Sequence, residues 1–171
     1  HTACRRQRQM CIRDRDILSY ITKKVDHTRH VTLIDPAKQT PEIAATRASA
    51  AIEAGSSMIF VGGSTDTPDE IVHATCLAIQ EELELRVFAA SQSPENDENE
   101  WKIPVVLFPG GSHALSPAAD AITFMMLMNS LDRRFLVGEQ LRGAPFIDKF
   151  GVDALPTCLL YTSPSPRDRI S

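Results

Sequence analysis

His30-Val31-Thr32-Leu33-Ile34-Asp35-Pro36 and Met58-Ile59-Phe60-Val61-Gly62-Gly63-Ser64 decide the fold, because they say the same thing twice. Each is an apolar, partly β-branched run that stops at small or acidic residues. Each is followed at the same offset by a helix-start signal, Thr40-Pro41-Glu42 five residues after Asp35 and Thr67-Pro68-Asp69-Glu70 five residues after Gly62. A buried strand, a short loop and a capped helix written twice in register is the pattern of repeated βα units. It sets Asp35 and Gly62 to Ser64 at the carboxyl ends of neighbouring parallel strands, where such folds do their chemistry.

The same pattern continues outward. Asp16 to Lys24 reads as a short amphipathic helix. The first strand is Val31 to Ile34, and its helix runs from the N-cap Thr40 to a stop at Gly55. That helix is expected to bury Ile43, Ala44, Ala48, Ala51 and Ile52. The second strand is Met58 to Val61, and its helix, starting at Thr67-Pro68, is expected to bury Ile71, Ala74, Ala78 and Leu85. Residues 91–100 form a polar, acidic insertion, read as a surface loop. Strand three is Pro104 to Phe108, ending at Pro109-Gly110-Gly111-Ser112, and Ser112 to Ala119 is too short for an ordinary crossover helix. Ala121 to Met128 reads as a fourth strand covered on both faces, Phe135 to Phe150 as a helix interrupted near Gly143-Ala144-Pro145, and Asp153 as the start of a fifth strand.

The fold class is therefore α/β, built from parallel βα units. An open doubly wound sheet and part of a closed (β/α)₈ barrel both suit five such strands. The dinucleotide fingerprint is missing after Gly62-Gly63, which favours the barrel. About five of its eight strands are then present, since a complete barrel needs ~250 residues and the chain has 171.

Both ends differ from this body. Residues 1–15 hold five arginines and one aspartate, and residues 158–171 form a Ser/Pro/Arg tract with no apolar period. An organelle transit peptide and a basic arm are alternatives for the start. Both ends look more like translated sequencing-adapter sequence, flanking a body at 16–157. Of the chain's 18 basic and 22 acidic residues, the body keeps 11 and 20. So acidic a surface argues against a nucleic-acid partner. Three of the four cysteines, Cys4, Cys11 and Cys158, sit in the ends, leaving Cys76. No disulfide framework survives, and a reducing, cytoplasmic compartment is expected.

The chemistry gathers at the strand ends. Asp35 is the single acidic residue at an expected mouth; it suits a Mg²⁺ ligand facing a phosphate-bearing substrate and equally a structural cap on the Pro36–Thr40 loop. Gly62, Gly63, Ser64 and Thr65 offer bare backbone N–H groups and two hydroxyls, which suit phosphate or a metal-bound diphosphate. Gly110 lies in a second glycine-rich mouth. His113 stands beside it as an acid, a base or simply a solvated loop residue, and His27, His30 and His73 read as structural. No serine or cysteine nucleophile stands at a recognisable spacing from a histidine.

Taken in order, LIDP (Leu33 to Pro36), VGGST (Val61 to Thr65), LFPG (Leu107 to Gly110), ADAI (Ala119 to Ile122), FMMLMNS (Phe124 to Ser130), GAP (Gly143 to Pro145) and ALPT (Ala154 to Thr157) resemble the geranylgeranylglyceryl phosphate synthase family. That family includes heptaprenylglyceryl phosphate synthase. The resemblance spans residues 16–157. It implies a modified (β/α)₈ barrel whose third helix is replaced by an irregular segment. It also implies Mg²⁺-dependent transfer of a polyprenyl group from its diphosphate to the 3-hydroxyl of sn-glycerol 1-phosphate. On this resemblance Asp35 and Ser64 bind Mg²⁺ and Asp35 is catalytic, while Gly62, Gly63, Thr65, Gly110 and Asn129 bind substrate. The expected partners are the polyprenyl diphosphate and sn-glycerol 1-phosphate, with membrane proximity through the lipid substrate and a homo-oligomer at full length. The chain departs from the family at Gly111, where an asparagine is usual, at Met126, where a small polar residue is usual, and after Thr157, where a GYIV strand and a glycine-rich phosphate loop are expected. A non-catalytic fragment and another phosphate-binding barrel of isomerase or aldolase type are the alternatives.

Overall fold

A computed structural model describes residues 17–23, 25–63, 66–91, 103–123, 126–155 and 157. Five parallel strands form one open sheet in the order β1-β2-β3-β4-β5: His30–Ile34, Ser56–Gly62, Val105–Phe108, Ala121–Thr123 and Asp153–Leu155. Among the described residues four α-helices accompany them: α1 (Ile17–Thr22), α2 (Pro41–Glu53), α3 (Asp69–Ser91) and α4 (Glu139–Phe150). Both expected ends, residues 1–15 and 158–171, and nearly all of the acidic insertion lie outside the described residues.

Strand parity divides the core in two. Ile34, Ile59, Val61, Val105, Leu107 and Ile122 point to one face and meet Ala44 and Ala48 of α2 and Val72, Cys76, Ile79 and Leu83 of α3. The alanines of α2 let that helix sit close on the sheet. On the other face Met58, Val106, Ala121 and Leu155 pack around Ile17 of α1. The Tyr20 hydroxyl donates to the Ser57 carbonyl at 2.7 Å, tying α1 beneath that face. Farther along the same face Leu33 is half exposed, and the rings of Phe60 and Phe108 stack at 5.7 Å.

The capping signals are where the sequence puts them. Thr40 Oγ1 accepts the Ile43 N–H, Pro41 opens α2, and Gly55 ends it at φ +99°, a conformation that favours glycine. Between β3 and β4 no helix forms. Ala114, Leu115 and Ala119 pack into the core in its place, and Asp120 Oδ2 accepts the Val105 N–H at 2.7 Å. His73 of α3 and Ser116 hold this irregular link at 2.9 Å, and Gln80 donates to the Ala118 carbonyl at 3.2 Å.

Four expectations need correction. The fourth strand ends at Thr123 rather than Met128, because the Leu127 N–H turns to the Phe135 carbonyl at 2.8 Å instead of to a neighbouring strand. The last helix is not broken at Gly143-Ala144-Pro145. It runs through Pro145, whose missing N–H frees the carbonyl of Leu141, a residue on the water side at 73% exposure. The irregularity lies earlier, in a wide π-helical turn at Arg134–Gly138. Finally, α3 is rotated from the expected face: Ile71 and Leu85 are exposed, while Val72, Thr75, Cys76, Ile79 and Leu83 are buried. Likewise Ile43 of α2 faces outward, although Ala44 and Ala48 are buried as expected.

Candidate active site

Asp35 follows β1 and opens a single 3₁₀ turn, Pro36–Lys38. Its Oδ1 accepts the Ala37 N–H at 3.0 Å, so the capping role is present. Its Oδ2 lies 3.2 Å from Lys38 Nζ. That lysine side chain is 74% exposed against 17% for the aspartate, so the cation can swing away while the carboxylate stays in place.

Gly62 and Gly63 close β2 beside it. A Cβ on Gly62 would meet the Phe108 carbonyl oxygen at 1.9 Å, and the residue has φ +148°, so both space and backbone require glycine. The Gly63 N–H donates to the same Phe108 oxygen at 3.1 Å, pinning the β2 mouth to the β3 mouth. A Cβ on Gly63 would stand 3.0 Å from Asp35 Oδ2. The carboxylate therefore faces bare backbone. Ser64 and Thr65 lie outside the described residues.

The β3 mouth is built differently. Gly110 is half buried and Gly111 is buried. A Cβ on Gly111 would come within 2.8 Å of the His113 ring and 3.0 Å of Glu139 Oε2, so the space an asparagine side chain would need is already filled. Glu139, 3% exposed at the start of α4, accepts the Ser112 N–H at 2.7 Å. Arg134 and Arg142 lie 3.6 and 3.5 Å from its other oxygen. Burial pushes this carboxyl's pKa up. The Ser112 hydrogen bonds and the two guanidinium groups outweigh that and hold it below its ordinary value. His113 Nε2 reaches Asp66 Oδ1 at 3.3 Å, joining the loops after β2 and β3.

The structure thus brings together Asp35, Gly62 and Gly63, with Gly110 one mouth further along the rim. Asn129 sits in an exposed turn beyond β4, three strands from Asp35 in the sheet order. The Glu139–Ser112 contact and the His113–Asp66 pair escaped sequence reasoning. Glu139 meets a partner 27 residues away, inside a segment that reads as ordinary helix. No local pattern signals it.

Among the described residues no three His, Cys, Asp or Glu side chains group around a point that could hold a metal. A caged metal is thereby unsupported. Mg²⁺ needs less, since it is commonly bound through one or two carboxylates plus substrate phosphates and water. Asp35 Oδ2, with the space that a Gly63 side chain would fill left open, suits a cation of that kind.

The comparisons with known proteins agree with this architecture. The geranylgeranylglyceryl phosphate synthase of Thermoplasma volcanium is 38% identical over 149 residues, covering 86% of this chain and 52% of that protein. The enzyme of the same name from Thermofilum pendens is 38% identical over 142 residues, covering 82% and 49%. Among solved structures, wild-type GGGPS from Thermoplasma volcanium superposes with a TM-score of 0.67 at 37% identity, covering 82% of this chain and 49% of that one. The (S)-3-O-geranylgeranylglyceryl phosphate synthase of Thermoplasma acidophilum, solved with its substrate sn-glycerol-1-phosphate, gives 0.65 at 32% identity, covering 79% and 47%. The chain spans about half the length of the curated relatives it matches. With the PcrB family model matching residues 23–167, over a five-stranded parallel sheet with its glycine-rich mouths at the strand ends, this chain belongs to the PcrB family.

Proposed function

We propose that these residues form the diphosphate-binding half of a Mg²⁺-dependent prenyltransferase. It moves a polyprenyl group of geranylgeranyl type from its diphosphate to the 3-hydroxyl of sn-glycerol 1-phosphate in ether-lipid synthesis. The observation that carries this reading is the Asp35 carboxylate facing the bare Gly63 backbone across adjacent strand ends. In the transfer the C1–O bond to the diphosphate breaks and a new C–O bond to the glycerol oxygen forms, with loss of the hydroxyl proton. Negative charge collects on the leaving diphosphate. Asp35 would hold a Mg²⁺ ion there, with Ser64 as the second ligand that the family resemblance implies, and the ion would supply Lewis-acid neutralisation of that charge.

The chain's own residues do the rest. Asp35, fixed by the Ala37 N–H, keeps an oxygen aimed at the mouth. Gly62 and Gly63 let a diphosphate approach the backbone. The apolar face carrying Leu33, Phe60 and Phe108 suits the prenyl tail, as stacked rings and an aliphatic side chain offer nothing polar to desolvate. Among the described residues no helix is long and apolar enough to cross a membrane. The reading adds, from the family resemblance, a cytoplasmic homo-oligomer that meets the membrane through its lipid substrate.

The test is product formation from geranylgeranyl diphosphate and sn-glycerol 1-phosphate, run on the protein and on its reading frame extended to the relatives' length. Mg²⁺-dependent ether product that vanishes in Asp35→Asn is the expected result. Undiminished turnover in that variant would overturn the metal assignment.

A further inference from the structure

We infer that Glu139 is a positioning residue for the β3 mouth, holding Pro109-Gly110-Gly111-Ser112 in the shape that receives the diphosphate. The inference rests on the proposed function and adds to it a residue that neither the sequence motifs nor the strand-end pattern names. A carboxylate placed next to an anion site ordinarily repels the anion. Here its charge is answered by two guanidinium groups, Arg134 at 3.6 Å and Arg142 at 3.5 Å, so the corner as a whole carries one net positive charge.

The carboxylate reaches the loop from behind. Its Oε2 takes the Ser112 N–H at 2.7 Å, a charge-assisted bond between groups 27 residues apart. Gly111 is caught between that oxygen and the His113 ring, with 3.0 and 2.8 Å to where a Cβ would stand. His113 in turn reaches Asp66 on the loop after β2 at 3.3 Å. A continuous line of contacts thus runs from the start of α4 through the β3 mouth to the β2 mouth. Its first member is 3% exposed and its last 89%, as expected of a fixed anchor with an adjustable end. Loosening the anchor frees the Ser112 N–H and lets the loop sag, while the helix–sheet core, built from other residues, stays packed.

The experiment measures amide hydrogen exchange at Ser112 and binding of inorganic pyrophosphate with Mg²⁺, in the full chain and in Glu139→Ala, Glu139→Gln and Gly111→Ala. Glu139→Ala should raise Ser112 exchange and weaken pyrophosphate binding, each by about tenfold, the worth of one hydrogen bond to a charged group. Glu139→Gln, which keeps an acceptor for the N–H, should recover part of both. Gly111→Ala, which presses on the same loop with the carboxylate intact, should weaken binding if Glu139→Ala proves too unstable to assay. Unchanged Ser112 exchange in Glu139→Ala, or loosened exchange with unchanged pyrophosphate binding, would overturn the inference alone. Absence of any Mg²⁺–pyrophosphate binding by the unaltered chain would instead refute the proposed function, and the inference with it.

Discussion

Asp35 and Gly63 face each other across the ends of β1 and β2 so closely that the glycine's missing side chain defines the space beside the carboxylate, 3.0 Å from Oδ2 to where a Cβ would stand. Gly63→Ala tests that space. The carboxylate must give by a few tenths of an ångström, which a side chain at a loop can do for about 1 kcal/mol or less. Stability should therefore hardly change. Mg²⁺–pyrophosphate affinity, measured by titration calorimetry, should fall by about tenfold, since metal sites tolerate little displacement of a ligand.

Under the proposed function, Lys38 is the rival of a metal ion for the Asp35 oxygen that it already meets at 3.2 Å. Lys38→Ala removes an exposed partner at 3.2 Å and should cost at most about 1 kcal/mol in a urea melt. It should tighten Mg²⁺–pyrophosphate binding a few-fold by removing the rival cation. Asp35→Asn should do the opposite, with loss of about 100-fold or more in any prenyl transfer. Equal binding in Lys38→Ala and the unaltered protein would show that the lysine already stands aside.

Gly62→Ala places a methyl group 1.9 Å from the Phe108 carbonyl oxygen at a backbone φ of +148°. Neither can relax without parting β2 from β3. We expect a loss of about 3 kcal/mol or more, read as a lower thermal midpoint or as failure to accumulate folded protein.

The rotation of α3 makes a paired prediction. Ile79 is fully buried, and Ile79→Ala should cost about 2–5 kcal/mol by transfer and cavity formation. Leu85, 65% exposed on the same helix, should tolerate Leu85→Ser within about 0.5 kcal/mol. Chemical denaturation of the two variants separates the observed face from the one expected from periodicity.

Glu139 and Cys76 each give the stability a dependence on pH. Glu139 has a carboxyl pKa held below its ordinary 4.5 in the fold, so its contribution is complete above that value and lost as pH falls through the folded pKa. Glu139→Gln should flatten the acid limb of the stability curve. Burial, with the Asp120 charge adding to it, pushes the Cys76 thiol from 9.0 up to about 12 against the opposing Ser116 hydroxyl. Its neutral burial stabilises fully below pH 9 and is lost between 9 and 12, at up to about 1.4 kcal/mol per pH unit. Cys76→Ala should remove that slope. At pH 8 the thiol of the native protein should react with a thiol reagent only as fast as the core opens.

What the sequence makes legible is whatever its local pattern controls. Val31 to Ile34 and Met58 to Val61 are apolar runs bounded by turn residues, and Thr40-Pro41 is a cap that works through the nearest turn; all three stand as read. The missing third helix was legible because Ser112 to Ala119 is simply too short. The face of α3 was not, since apolar residues surround that helix and the buried set includes Thr75 and Cys76, which look neutral in any pattern. The end of β4 escaped because Ala121 to Met128 is uniformly apolar, whereas the break depends on where the Leu127 N–H finds an acceptor. The placement of Asp35, Gly62 and Gly63 at neighbouring strand ends was legible, because it follows from where the apolar runs stop. The Glu139–Ser112 contact was not, because it exists only once α4 is folded back onto a loop 27 residues away.

The sheet order β1-β2-β3-β4-β5 means that every hydrogen-bonded strand pair is also a pair of successive strands in the chain. Among the described residues no strand waits for a distant partner, so loop-closure entropy there is met in small instalments. Each βα unit can dock on its predecessor as it leaves the ribosome, at ~5–20 residues per second. The Asp35–Gly63 approach needs the first two strands and the Phe108 carbonyl of the third. It is therefore laid down early in synthesis, before the elements on the far side of the sheet exist.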